Sequence, residues 1–258
     1  GVFVQAVALD PANPGHLIAG ASDGLYRSTD GGATWDRIVM EAGAMAIFDI
    51  TVAGDQYYAG AWGHNVLRSQ DGGVSWASIH HGLETQSVYA FAVNADDPDV
   101  LYAGTVECVF RSADRGDSWQ MLTCGWPGAV TTFVLLVDDA GWLWAGTTRG
   151  VHRLRDAGDV WQAAGLQDVT VTALAQVTED DGVALYAGTE HDGLYRSDDG
   201  GATWASAGLA GRSVYALHVA EGSEGATRLL WAATDDGLYA AEAHMGRADA
   251  WWRRTPPY

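Results

Sequence analysis

The chain repeats itself at a fixed period. The segments GLYRSTDGGATW (Gly24 to Trp35) and GLYRSDDGGATW (Gly193 to Trp204) are nearly identical. Between them stand NVLRSQDGGVSW (Asn65 to Trp76), CVFRSADRGDSW (Cys108 to Trp119) and GVHRLRDAGDVW (Gly150 to Trp161). The closing residues Trp35, Trp76, Trp119, Trp161 and Trp204 lie 41, 43, 42 and 43 residues apart. A sixth, decayed copy begins GLYAAEA at Gly237 and ends at Trp251 or Trp252. A period of this length marks an array in which each copy is one supersecondary unit.

Two further landmarks precede each turn segment. One reads LIAG at Leu17, YYAG at Tyr57, LYAG at Leu101, LWAG at Leu143, LYAG at Leu185 and LWAA at Leu230. The other is an apolar run: VQAVAL, IFDITV, VYAFAV, FVLLV, VTALAQV and VYALHV. Each unit thus holds four short apolar runs parted by turn residues, and such runs read as strands. Four strands in a unit of this size predict a propeller blade. The expectation is an all-β, six-bladed β-propeller with four antiparallel strands per blade. It forms one domain over 1–258, with blades near 2–43, 44–86, 87–129, 130–168, 169–212 and 213–258. Near-continuous apolar strands suit sheets covered on both faces. On this phase the Val2 strand opens blade one and pairs within it, so no blade is shared between the termini.

The pattern S-x-D-x-G-x-x-W resembles the Asp box, or bacterial neuraminidase repeat. That repeat occurs in sialidases, sortilin-type receptors, xyloglucan-degrading enzymes and photosystem II assembly propellers. Five copies keep its Asp: Asp30, Asp71, Asp114, Asp156 and Asp199. The fourth copy has Leu154 in place of Ser, and the sixth has lost the box. Each part has a structural role in the turn between the third and fourth strands. The Asp accepts backbone N–H bonds, the Gly supplies a conformation that side chains resist, and the Trp fills the space beside the turn. The box therefore says little about function.

Charge narrows the partners. There are 33 acidic and 14 basic residues, a net of -19. Nucleic acid and anionic membrane surfaces both demand cations, so neither fits. No apolar run approaches the roughly 18 residues of a transmembrane helix. No secretory leader is visible, and the chain begins at Gly1 rather than Met, as either a mature product or a trimmed chain would. Cys108 and Cys124 open and close one predicted hairpin, so a cross-strand disulfide is feasible if the register opposes them. Such a bond would point to an extracytoplasmic or secreted location.

Candidate binding residues lie on the face opposite the Asp boxes, on second-to-third-strand loops and blade-to-blade links. They are Trp62, His64, His80, His81, Trp126, Arg149, Glu190, His191, Asp192, Asp235 and Asp236. Trp62 and His64, with His80 and His81, form an aromatic and imidazole patch that could stack a sugar ring or hold a soft metal. Glu190, Asp192, Asp235 and Asp236 form an acidic patch that could hold Ca²⁺, which takes oxygen ligands; no other cofactor is expected.

Sialidase chemistry, as the resemblance implies, needs an arginine triad, a Tyr nucleophile with a Glu partner, and an acidic proton donor. Only Arg149 and Arg212 fall clearly in the loops of that face, and the Phe-Arg-Ile-Pro signature is missing. No Ser-His-Asp set, phosphate loop or HExxH helix is visible. The sequence reading is a non-catalytic scaffold that binds a protein or carbohydrate through one face. Its alternative is a glycoside hydrolase, sialidase-like or another exo-glycosidase, which would need two carboxylates about 5–10 Å apart on the loop face.

Overall fold

The computed structural model describes residues 1–40, 43–63, 65–83, 87–106, 108–124, 130–155, 160–179, 182–221, 228–243 and 251–254. The described strands form six four-stranded antiparallel sheets, each taking its strands in chain order. These are the blades of a β-propeller. The chain divides into two compact units, Gly1–Asp139 and Ala140–Tyr258.

The first unit contains sheet one (Val4–Asp10, Asn13–Ala21, Gly24–Ser28, Asp36–Arg37) and sheet two (Ile47–Ala53, Gln56–Ala61, Asn65–Ser69, Ala77–Ser78). Sheet three follows (Ala90–Val93, Leu101–Gly104, Cys108–Ser112, Gln120–Cys124), then Thr132–Val137, the opening strand of sheet four. The second unit carries the rest of sheet four (Leu143–Thr147, Gly150–Leu154, Gln162–Ala163). Sheet five (Val171–Glu179, Gly182–Thr189, Leu194–Ser197, Ala205–Gly208) and sheet six (Val214–Glu221, Arg228–Thr234, Gly237–Glu242, Trp252–Arg254) complete it. The strand from Val4 pairs with Asn13–Ala21 in its own sheet.

The core lies between sheets. Ile18 and Leu25 of sheet one pack with Ile47, Ile50 and Leu67 of sheet two. Tyr58 and Val66 of sheet two pack with Phe91, Leu101, Phe110 and Trp119 of sheet three. In the second unit Tyr186 and Leu194 of sheet five meet Leu230 of sheet six. The glycine of the second-strand landmark answers this packing. A Cβ on Gly188 would lie 2.6 Å from Cγ1 of Val214 in the next sheet.

The box works as a hydrogen-bond knot. Ser28 Oγ donates to Asp30 Oδ1 at 2.8 Å and accepts the Gly32 N–H at 2.9 Å. Asp30 also accepts the Thr34 N–H at 2.9 Å and its hydroxyl at 2.6 Å. Asp71, Asp114 and Asp199 repeat the pattern with Ser75, Ser118 and Thr203. These donors favour the ionised form. They hold the Asp30, Asp71 and Asp199 carboxyls down at about 2. At Asp114 burial pushes upward, but the Ser118 and Ser112 bonds prevail and the carboxyl again lies low. Asp156 falls outside the described residues.

Boxes also join the sheets, through residues that the repeat itself supplies. The arginine before the box serine reaches the next turn and donates to the carbonyl just after its Asp. Arg27 Nε bonds Gly72 O at 3.0 Å, Arg68 Nη1 bonds Arg115 O at 2.9 Å, and Arg153 Nη1 bonds Gly200 O at 2.7 Å. Arg196 bonds Ala243 O at 3.1 Å, where sheet six has no box. In the reverse direction three tryptophans donate to the outer strand region of the preceding sheet, while Trp35 and Trp76 donate to Gly32 O and Gly73 O of their own turns. Trp119 reaches Ile79 O at 3.2 Å and Trp204 reaches Ala164 O at 2.7 Å. Trp251 reaches Ala207 O at 2.7 Å, so Trp251, not Trp252, is the sixth box tryptophan. Close approach accompanies the joint: Gly201 has φ +82, and a Cβ there would lie 2.8 Å from the buried Trp144 ring. In the fourth copy, where Leu154 replaces Ser, Arg153 and Arg155 lie over the Trp142 ring at 4.7 and 5.2 Å.

Candidate functional site

The opposite end of the sheets is built by short turns between second and third strands. In four of them a threonine closes the turn on a carbonyl three or four residues on. These bonds are Thr105 to Cys108 at 2.9 Å, Thr147 to Gly150 at 3.0 Å, Thr189 to Gly193 at 2.8 Å and Thr234 to Gly237 at 2.8 Å. In sheet three the register sets Cys108 opposite Cys124, and Cys108 is disulfide-bonded.

An aromatic row crosses this end of the first unit. Phe48 stacks on Tyr89 with centroids 4.8 Å apart and planes at 26°. Tyr89 meets Phe133 edge-on at 6.5 Å. Trp62 leans on Phe48 from the other side at 6.1 Å. Trp62 is 60% exposed and Phe133 37%. Such offset and edge-on pairs are the preferred aromatic geometries. The Trp62 loop is pinned at two points: Trp62 N donates to Ala46 O at 2.9 Å and Gly63 N to Ser87 Oγ at 3.2 Å.

A backbone irregularity aims these rings. The first strand of sheet two shifts register between Ile47 and Asp49, which leaves Phe48 on a bulge. Sheets one, five and six shift at the same step, at Gln5, Thr172 and Tyr215. Tyr89 directly precedes Ala90, the residue paired with Gly104. Phe133 follows Thr132, which packs on Gly104 as Val214 packs on Gly188. A bulge re-aims the extra residue, and Tyr89 and Phe133 hold the positions that match Phe48 in the next two repeats. Three consecutive repeats place an aromatic ring there.

Asp49 follows the first of these rings. Its carboxylate accepts the Phe91 N–H at 2.7 Å, which bridges the first strands of sheets two and three. Part of the residue reaches solvent, yet atoms crowd the carboxyl, and this burial pushes it up to about 6 against the pull of the Phe91 and Ile50 amides.

Of the residues expected from sequence, only Trp62 belongs to the row. His80 and His81 are exposed on the link after the outer strand. There His80 Nδ1 lies 3.1 Å from Ser78 Oγ, and the His81 carbonyl accepts the Trp119 N–H at 2.8 Å. His64 and Trp126 lie outside the described residues. Arg149 is exposed, its N–H donated to Thr147 Oγ1 at 3.0 Å.

The acidic residues of the second unit are engaged locally. Asp236 is ion-paired with Arg212 at 2.5 Å and Arg253 at 3.3 Å. It also accepts the Tyr239 hydroxyl at 3.0 Å, and that bond with the two guanidinium groups holds its carboxyl low. Asp192 N donates to Thr189 Oγ1, Asp235 N to Ser213 O, and the Glu190 carbonyl accepts the Ser213 hydroxyl. His191 Nδ1 lies 3.3 Å from Ser213 Oγ, and Nε2 lies 4.0 Å from the Glu190 carboxylate. Ser213 is buried, so this trio ties the loop down rather than presenting a nucleophile. Among the described residues no three Asp, Glu, His or Cys side chains group as metal ligands, so the acidic patch expected to hold Ca²⁺ offers no such set.

Residues 26–37, the first turn segment, match the family model described as the BNR/Asp-box repeat. The chain is a β-propeller built on the Asp-box repeat. This Asp-box propeller is similar in fold to several solved structures. An ancestral GH74 enzyme superposes with a TM-score of 0.79 at 18% identity, covering 98% of this chain and 38% of that one. The extracellular domain of a protein described as a one-component system from B. thetaiotaomicron gives 0.75 at 17%, covering 97% and 33%. YCF48 bound to D1 peptide gives 0.70 at 17%, covering 98% and 82%. The chain thus spans 38% and 33% of the first two. Among curated proteins, none matches the chain by sequence. No helix of the described residues is long and apolar enough to cross a membrane.

Proposed function

We propose that this Asp-box propeller is a non-catalytic binding module whose partner, a protein or a glycan, seats on the aromatic row of the first unit. The row of Trp62, Phe48, Tyr89 and Phe133 carries the reading. Exposed rings held rigid by packing and by pinned loops give contact area with little ordering cost on binding. Propellers of this fold include one solved with a bound peptide. The disulfide at Cys108 supports an extracytoplasmic location, since such bonds persist in oxidising compartments.

A second reading, glycoside hydrolysis, is favoured by Asp49. A carboxyl pushed up to about 6 beside an open row has the character of a general acid, and a GH74 enzyme shares the fold.

Trp62→Ala decides the first reading. Binding to a glycan array or to host proteins should fall at least tenfold in Trp62→Ala and Phe133→Ala, with melting temperatures unchanged. Binding equal to the parent protein in both variants rejects the row. Release of reducing ends from xyloglucan or other oligosaccharides, lost in Asp49→Asn, would favour the enzymatic reading.

A further inference from the structure

Asp49 is a poorly compensated charge next to the row. It bridges the two strands that carry the stacked rings: it follows Phe48 directly, and its partner Phe91 lies two residues beyond Tyr89. Buried carboxylates are ordinarily paired with a cation, because amides alone offset only part of the lost hydration. Among the described residues the groups acting on the carboxyl are two backbone amides and no cation.

The strands packed on that of Asp49 are Val4–Asp10, Asn13–Ala21, Gln56–Ala61 and Ala90–Val93. Their titratable groups are Asp10, His16, Tyr57 and Tyr58, with Tyr89 just outside the last. Asp10 lies with His16 and Tyr57 at the far end, by the first turn of the sheet. Tyr58 OH donates to Arg115 O, toward the box of sheet three. None of these supplies a positive charge to Asp49.

We infer that the row is a receptor for a cationic side chain, an arginine or lysine on a partner protein, lying on the exposed rings with the Asp49 carboxylate as its counter-charge. The inference rests on the row being the binding site. Aromatic faces attract guanidinium and ammonium groups, most strongly where water is excluded. The surrounding charge of -19 favours approach of a basic segment. A neutral ligand, glycan or peptide, would instead cover the carboxylate without compensating it.

That difference gives the two ligand classes opposite pH dependences. A cation needs the ionised carboxylate, so its binding strengthens as pH rises through about 6. A neutral ligand desolvates the carboxylate and draws a proton to it, so its binding strengthens as pH falls.

The test uses an acetylated, amidated Gly-Gly-Arg-Gly-Gly peptide, its lysine form, and its citrulline form, which keeps the shape of arginine without the charge. Binding is followed by tryptophan fluorescence, and the Asp49 carboxyl by carbon NMR. The arginine peptide should bind roughly tenfold more tightly at about pH 7.5 than at about pH 5, and should lower the Asp49 titration midpoint.

Asp49→Asn keeps an acceptor for the Phe91 amide and so preserves the fold. It should lose about tenfold at neutral pH and flatten the profile. Asp96→Asn, an equal charge change on an exposed turn, should leave both intact. Citrulline binding as tightly as arginine, an Asp49→Asn variant that binds like the parent, or affinity that rises on acidification would each overturn the inference. If Trp62→Ala abolishes binding while Asp49→Asn does not, the row stands and the cation falls. If Trp62→Ala and Phe133→Ala bind every ligand normally, the row falls as well.

Discussion

The two ends of the sheets treat the same repeat in opposite ways. At the box end, Asp30, Asp71, Asp114 and Asp199 accept the same pair of bonds from a residue four positions on. At the loop end, the equivalent bulge position holds Gln5, Phe48, Tyr89, Phe133, Thr172 and Tyr215 in turn. Uniformity at one end follows from geometry, because each box must meet the next sheet. Variety at the other end follows from the contacts differing copy by copy: Phe48 stacks on Tyr89, whereas the Thr172 hydroxyl donates to Val214 O of the next sheet. The difference teaches that in a repeat protein the most regular motif reports assembly, and the positions that vary within a regular frame report recognition.

The sharpest way to break this contrast is at a box joint. Trp119 is buried and donates across to Ile79. Trp119→Ala should cost about 3–5 kcal/mol in chemical denaturation. A cost like that of a surface residue would mean that the joints do not hold the sheets.

Ser112 is the next test. Its buried hydroxyl serves Asp114 and the Gly116 amide together. Ser112→Ala should cost roughly 1–3 kcal/mol, because it strands a buried amide.

Acid and base should act on different ends. Box carboxyls held near 2 contribute stability that is full above their usual 3.8 and is lost as pH falls toward 2. Asp49 has the opposite sign. Its raised carboxyl leaves the fold unpenalised below 3.8 and weakens it as pH rises through about 6. Stability should therefore peak between these values. Asp49→Asn should remove the decline on the alkaline side, an effect on the order of 1 kcal/mol, read from denaturation midpoints across pH.

Trp62→Ala should change stability least, by no more than about 0.5 kcal/mol, since its ring is largely exposed. A large loss would make the row a structural element and dissolve the contrast.

Much of the fold was legible because period and turn chemistry agree in copy after copy. The joints were harder to see. Arg27, Arg68, Arg153 and Arg196 look like solvated strand residues in YRS and its variants, and the carbonyls they reach across the joint belong to the next copy. The row was hidden by its own backbone. Phe48, Tyr89 and Phe133 sit inside apolar runs that read as buried strand, and strict alternation assigns them to a packed face. At Phe48 a bulge breaks the two-residue period, so the residue it inserts escapes that assignment. Superposing the six runs on the glycine landmark would have revealed four aromatics in one column, three of them in consecutive repeats. Trp62 was legible because it stands in a turn, whereas Asp49 reads as an interruption until the Phe91 amide explains it.

The acceptor in each arginine joint is a main-chain carbonyl. A carbonyl survives any substitution that leaves the backbone path intact. The sixth copy could therefore drift away from its box while Ala243 still receives Arg196. The same economy bears on how such arrays grow. A copy that keeps the arginine brings a donor for its successor and a main-chain acceptor for its predecessor, so tandem duplication of such a copy repeats the joint, whereas the sixth copy, with Ala240 in the arginine's place, brings no such donor. Blade number can then change by copying alone, with no new contact to be invented.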